Sequence, residues 1–210
     1  MLRVLIAAAV AATLAVPAAA SAAEKAAPAP GKDRAEAFIS TLKKVKKDEG
    51  KLTDADKAAN AKLFTELDNF LDFDVLVTKP IAPRADKLKP DELVSFKSKF
   101  RELIRLIAYP NSGNFFRKST WELKPETTKG ELILVAMNVK MPEEDLETTV
   151  EFQWAKVGGQ LKLQDVNFEG DSLVKDYQNQ ITKVFDKSGV TGLFKALDDR
   201  LAEMNKGPKK

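Results

Sequence analysis

The side chains able to do chemistry are few and widely spaced. The 210-residue sequence contains no histidine and no cysteine. That removes the commonest general base, the commonest metal ligand, every thiolate nucleophile and every disulfide. Carboxylates remain. Asp72 and Asp74 share a face only if the chain there is extended, and otherwise suit helix caps or surface positions. Glu143, Glu144 and Asp145 follow Pro142 without the regular spacing of a calcium loop, and read as a hairpin tip. Asp165 on a predicted strand and Glu169 just before Gly170 would suit proton transfer if both faced a pocket. The competing reading of each is a hydrogen-bonded structural carboxylate. Gly158-Gly159 lacks the strand–loop–helix context of a phosphate loop and reads as a turn. No catalytic residue, metal site or cofactor is called for.

Charge and composition narrow the classes further. Thirty-four basic and 31 acidic residues give a net charge of +3, which offers no case for a nucleic-acid partner. Hydrophobic residues at 44% and charged residues at 31% suit a folded, soluble domain. Residues 1–22 carry Arg3, an apolar run from Val4 to Val16 and the small-residue pattern Ala20-Ser21-Ala22. They read as a cleavable signal peptide, and export without cysteine suits a periplasm. Residues 23–33 read as a flexible lead-in, 34–204 as a single domain and 205–210 as a disordered tail.

The elements that must position any site follow from periodicity. Ala35, Phe38, Ile39, Leu42 and Val45 fall at helical spacing. Lys43, Lys44, Lys46 and Lys47 lie off that stripe and read as a solvated face rather than a site for a specific anionic partner. Thr53 can cap a second helix with Asp56 three residues on. Pro90 can open a third, with apolar positions at Leu93, Phe96, Phe100, Leu103, Ile104 and Ile107, ended by Pro110 and Gly113. The period then changes to two. Strands are expected over 115–123, 131–141, 147–156 and 161–169, as an antiparallel meander. Asp171 or Ser172 can cap a helix carrying Leu173, Val174, Tyr177 and Ile181, with Ser188-Gly189 before a last amphipathic helix. The order predicts an α+β domain with a curved, four-stranded antiparallel sheet covered by helices. A filled core and a hollow, ligand-binding one need the same binary pattern, so patterning leaves both open.

One stretch supplies a resemblance. Residues 150–201 combine the strand Phe152-Gln153-Trp154, a hairpin, the run from Asp165 to Val174 containing Glu169-Gly170 and Ser172-Leu173-Val174, and Ser188-Gly189-Val190-Thr191-Gly192-Leu193. In this order they resemble the MlaC family, also called the toluene-tolerance auxiliary family. Phe70 to Asp74 is similar to that family's F-D-F segment, and the Pro90 helix to its own Phe-bearing helix. Lys89 departs from it, standing where the family tends to have Ser or Thr.

The resemblance implies a fold similar to nuclear transport factor 2, with sheet and helices forming a cone. It implies a periplasmic, non-enzymatic phospholipid carrier, expected to be a monomer. Such carriers shuttle lipid between an outer-membrane lipoprotein complex and an inner-membrane ABC transporter complex, maintaining outer-membrane lipid asymmetry. The apolar faces and the resemblance together predict an acyl-chain cavity. Its lining is expected to draw on Val75, Leu76, Phe96, Phe100, Ile104, Val135, Met137, Val139, Phe152, Trp154, Val166, Phe168, Leu173, Val174 and Tyr177. Two other readings stay open: a small isomerase or dehydratase on the same scaffold using Asp165 or Glu169, and a filled-core interaction protein of the envelope.

Overall fold

Capping side chains and helix-opening prolines fix where several helices begin. The computed structural model describes residues 30–48 and 52–205, so the expected signal peptide, most of the lead-in and most of the tail lie outside the described residues. Helix α1 (Pro30–Lys44) starts inside the stretch read as lead-in. Proline is preorganised for a first helical turn, and the Lys32 N–H donates to Glu126 Oε2 at 3.0 Å, tying the helix start down. Thr53 and Asp56 form the expected capping box at the start of α2 (Asp54–Asp68). Asp72 caps the short α3 (Phe73–Thr78) by accepting from the Val75 N–H, and a 3-10 helix over Ala82–Lys87 follows. Helix α4 (Pro90–Leu103) opens on Pro90, and Glu92 accepts from the Lys89 N–H at 2.7 Å.

The expected stop at Pro110 and Gly113 does not occur. A π-helical turn over Ile104–Ala108 is inserted, and α5 (Tyr109–Lys118) continues beyond it. Proline lacks an N–H, and its ring clashes with the carbonyl four residues back in a regular α-helix. The wider π turn, closed by the Tyr109 N–H on the Ile104 carbonyl, places Pro110 at a new first turn where neither defect matters. Phe115 and Phe116 are therefore helical, and the strand expected from residue 115 begins only at Thr120.

The sheet has six strands rather than four: β1 (Thr120–Leu123), β2 (Thr127–Lys129), β3 (Leu132–Met141), β4 (Leu146–Val157), β5 (Gln160–Phe168) and β6 (Asp171–Ser172). Its order is β1-β3-β4-β5-β6, all pairs antiparallel, with β2 also on β3. The added strands, β2 and β6, are three and two residues long, too short to show an alternating pattern. A bulge at Gln164 is decisive for the inner face. Trp154 pairs with Leu163 and Phe152 with Val166, so the extra residue keeps Leu163, Val166 and Phe168 on one side.

Two apolar clusters result. The larger joins α1, α5 and the inner sheet face, with Phe38 edge-on to both Phe152 and Trp154. The smaller lies between α4 and α6 (Leu173–Asn205), around Phe96, Phe100, Ile181 and Leu193. Helix α6 kinks at Gly189, whose φ of 64° is left-handed.

Gly113 is buried where α5 crosses α1. A Cβ there would stand 2.4 Å from the Leu42 carbonyl oxygen, which is backbone and cannot rotate away. Gly113→Ala gains ~1 kcal/mol of helix propensity but forces the helices apart at a cost of roughly 1–3 kcal/mol. A net fall of several degrees in Tm is the expected result of a thermal melt. An unchanged or raised Tm would show that this crossing yields freely.

Candidate functional site

A half-enclosed cavity of about 290 Å³ opens between the inner face of β4 and β5 and the helices. That is far beyond the ~10–15 Å³ that admits one water. The sheet contributes Val150, Phe152, Leu163, Val166 and Phe168. Helix α1 contributes Phe38 and Leu42, the π turn Ile104 and Ala108, and α5 Tyr109, Asn111, Ser112, Phe115 and Phe116. Leu71 and Leu76 come from α3 and its approach, and Leu173, Val174 and Tyr177 from the first turns of α6.

Eight of the sequence-predicted residues meet here: Leu76, Ile104, Phe152, Val166, Phe168, Leu173, Val174 and Tyr177. Seven do not. Phe96 and Phe100 turn into the α4–α6 cluster, where Phe96 stacks on Phe100 at 5.6 Å and Phe100 meets the Tyr177 ring edge-on at 5.3 Å. Val135, Met137, Val139 and Trp154 share the inner face but are wholly buried in filled core. Val75 is half-buried one helical step from Leu76 and does not reach the cavity.

The sequence reading missed Phe38, Leu42, Leu71, Ala108, Tyr109, Asn111, Ser112, Phe115, Phe116, Val150, Leu163 and Asp165 as lining. A signal existed for α5. Ile104, Ala108, Ser112 and Phe115 continue at spacings of four, four and three, straight through Pro110.

Asp165 is the lone charged side chain on the lining. Its Oδ1 accepts from the N–H groups of Val166 (2.8 Å) and Val174 (3.1 Å), and its Oδ2 from the Ser172 hydroxyl. The carboxylate thus clasps β5 to the start of α6, with both oxygens committed. Glu169 is exposed at a turn with φ of 52° and lies off the cavity. The two carboxylates considered for proton transfer do not converge. Gly158-Gly159 forms the β4–β5 hairpin, and Asp145 turns the β3–β4 hairpin with φ of 47°. Among the described residues, no group of three or more acidic side chains is placed to hold a metal ion.

The cavity wall is braced from outside. Tyr109 turns its ring toward the cavity and its hydroxyl donates to Asp68 Oδ1 at 2.9 Å. Arg105, on the π turn, donates to both Asp68 oxygens, and Arg101 Nη2 donates to Oδ2 at 2.8 Å. Burial opposes ionisation of Asp68, but the hydrogen bonds from Arg105, Arg101 and Tyr109 outweigh it and hold the carboxyl below its ordinary value. Burial, then the Asp68 charge, pushes the Tyr109 phenol well above its ordinary value, so it remains a donor. Tyr177 is also raised, by burial.

The site defines a class of protein: an α+β domain built around an apolar, half-open cavity with no converging acid and base. The MlaC protein family matches residues 36–199, and the chain belongs to that family. It is also similar in structure to a phospholipid-binding protein from Ralstonia solanacearum, solved in complex with a phospholipid. The TM-score is 0.64 at 20% identity, covering 85% of this chain and 99% of that one. No curated protein matches.

Proposed function

We propose that this chain is a non-enzymatic periplasmic carrier that takes phospholipid acyl chains into the cavity. It would ferry lipid between an outer-membrane lipoprotein complex and an inner-membrane ABC transporter, and so help maintain outer-membrane asymmetry. The observation that carries this reading is the lining itself: apolar side chains almost throughout, no cation and one carboxylate already saturated by three donors. Such a surface has little to offer a polar reactant. Each methylene moved into it from water gains ~0.8 kcal/mol, enough over an acyl chain to hold a lipid that water would reject. Family membership and the phospholipid held by the Ralstonia protein point the same way. So does the signal-peptide pattern of residues 1–22.

The cavity, at about 290 Å³, falls just below the ~300–1,000 Å³ usual for drug-sized ligands. A diacyl lipid therefore enters as the walls part. The two apolar clusters share Phe73 and Ile104 at their boundary, and that boundary is the natural place for this. A cone-shaped wrap similar to nuclear transport factor 2 belongs to the same reading.

Lipid extraction and mass spectrometry of protein purified from an envelope fraction are expected to yield stoichiometric phospholipid. Val166→Trp projects an indole from β5 into the cavity and is expected to cut that yield at least tenfold, at a cost of roughly 1–3 kcal/mol in stability. An empty wild-type protein, or full loading of the Val166→Trp variant, would overturn the assignment.

A further inference from the structure

Where the end of α1 meets the end of α5, six exposed cations gather: Lys43, Lys44, Lys46, Lys47, Arg117 and Lys118. The two segments are in direct contact. Arg117 Nη1 donates to the carbonyls of Lys43 at 2.9 Å and Val45 at 2.5 Å. That guanidinium, rather than the lysines, meets the negative end of the α1 dipole, so the lysine ammoniums are left to solvent. Lys46 pairs with Asp56 at 2.5 Å, while Lys43, Lys44, Lys47 and Lys118 form no ion pair among the described residues. The exposed Asp48 and the Asp56 that pairs with Lys46 offset part of this charge and leave the cluster net positive.

The inner sides of the same two helices line the cavity through Leu42, Phe115 and Phe116. Phe115 meets Phe168, a cavity residue 42% exposed at the rim, at 6.4 Å between ring centroids. We propose that this basic face seats the protein on an anionic lipid bilayer, its ammoniums among phosphate headgroups and the cavity wall directly behind them. It reverses the reading of the lysine run as merely solvated. The step goes beyond the carrier reading and rests on it only in choosing a lipid surface over an acidic protein. The patch composition favours the same choice. Lysine is depleted at protein interfaces, and the patch holds no aromatic anchor, whereas clusters of four to eight cations suit a diffuse anionic surface.

The test is sedimentation of the whole chain with vesicles of phosphatidylcholine alone or mixed with phosphatidylglycerol, at rising salt. Binding to the phosphatidylglycerol vesicles that weakens with salt is expected. Roughly fivefold in partitioning per cation is at stake near such a surface. The combined Lys43→Glu, Lys44→Glu, Lys47→Glu and Lys118→Glu variant should therefore lose at least ~tenfold. The matching lysine-to-glutamine variant keeps the answer clear if reversal impairs folding. Reversing Lys129 and Lys156, exposed on β2 and β4, should change nothing.

Failure of the wild type to bind, equal binding to phosphatidylcholine alone, or binding kept by both patch variants would overturn the proposal. Capture of an acidic protein with no vesicle binding would overturn it too. Lipid extraction on the same samples separates the two readings. A loaded protein that ignores vesicles sinks this one alone. An empty protein that binds them through the patch sinks only the carrier reading.

Discussion

Val139→Glu is expected to abolish folding, while Val174→Glu leaves a folded protein stripped of lipid. Both valines are buried, at 0% and 8% exposure, and both belong to apolar faces that look alike in the sequence. Their surroundings differ. Val139 sits on β3 between Trp121 and Thr148, in filled core away from the cavity. A Glu there sets a carboxylate among the fully buried apolar side chains of the larger cluster, and several kcal/mol of burial cost compares with the whole ~5–15 kcal/mol stability of a domain. Val174 lines the cavity in the first turn of α6, where a longer side chain has room. Its new carboxyl lies near Asp165, whose charge and the apolar walls both raise its pKa. It can take up a proton and stay, at a loss of about 1–3 kcal/mol. A polar group among the acyl-chain contacts is expected to lower lipid occupancy at least tenfold. Circular dichroism melts with lipid extraction decide it. A folded V139E would show that the inner face of β3 is not filled core. A V174E protein with full lipid would move the ligand elsewhere.

The contrast between these two valines rests on how the layers close. The inner sheet face is covered twice. Toward β1 and β3, α1 packs down until Val135, Met137, Val139 and Trp154 are fully enclosed. Toward β5, cover comes from α5 and the start of α6, and these stand off. The Gln164 bulge keeps Val166 and Phe168 facing the gap, and the Asp165 clasp holds Val174 on the far side of it. Hollow and filled interior are thus two ends of one sheet surface.

That explains what the sequence could and could not show. Thr53 with Asp56, Pro90 with Glu92, and Gly158-Gly159 act through neighbours a few residues away, so their caps and turn were legible. The clean alternation of β4 was legible too. Pro110 misled because its usual meaning, a helix stop, was weighed above the helical spacing that runs through it from Ile104 to Phe115, and a π turn accommodates the ring. The division of the inner face was illegible for another reason. Whether Val139 or Val174 meets a void depends on how far a helix stands from the sheet, which is set by contacts such as Gly113 on Leu42. Binary pattern is blind to that distance. The family resemblance carried the expectation of a cavity where pattern alone could not.

Asp68→Asn is expected to cost about 2–3 kcal/mol and to flatten the acid limb of the stability profile. Asp68 is 9% exposed and receives donors from three side chains, which tie α2 to α4, the π turn and α5. Losing one partner of a fully buried ion pair costs roughly 3–5 kcal/mol. The figure is lower here because Arg101 and Arg105 are 45% and 30% exposed and keep part of their hydration. Tyr109→Phe removes one hydroxyl donor and should cost about 1 kcal/mol. The Asp68 carboxyl is depressed in the fold relative to ~3.9 in an unfolded chain, so its contribution is complete above that value. It is lost as pH falls through the lower, folded value. Tyr109 is shifted the opposite way. Above ~10 the unfolded phenol ionises while the folded one stays neutral, so stability falls again as pH rises. Urea melts across this range should therefore show a plateau with two falling limbs. Asp56, held at about 2 by hydrogen bonds from Lys46 and Thr53, remains in the variant and keeps part of the acid slope. The comparison is thus between slopes. An acid limb in Asp68→Asn as steep as in the wild type would show that this carboxylate does not brace the wall. With the brace intact, Arg105 and Tyr109 are both tied to Asp68 on the side of the cavity that also carries Ile104 and Ala108.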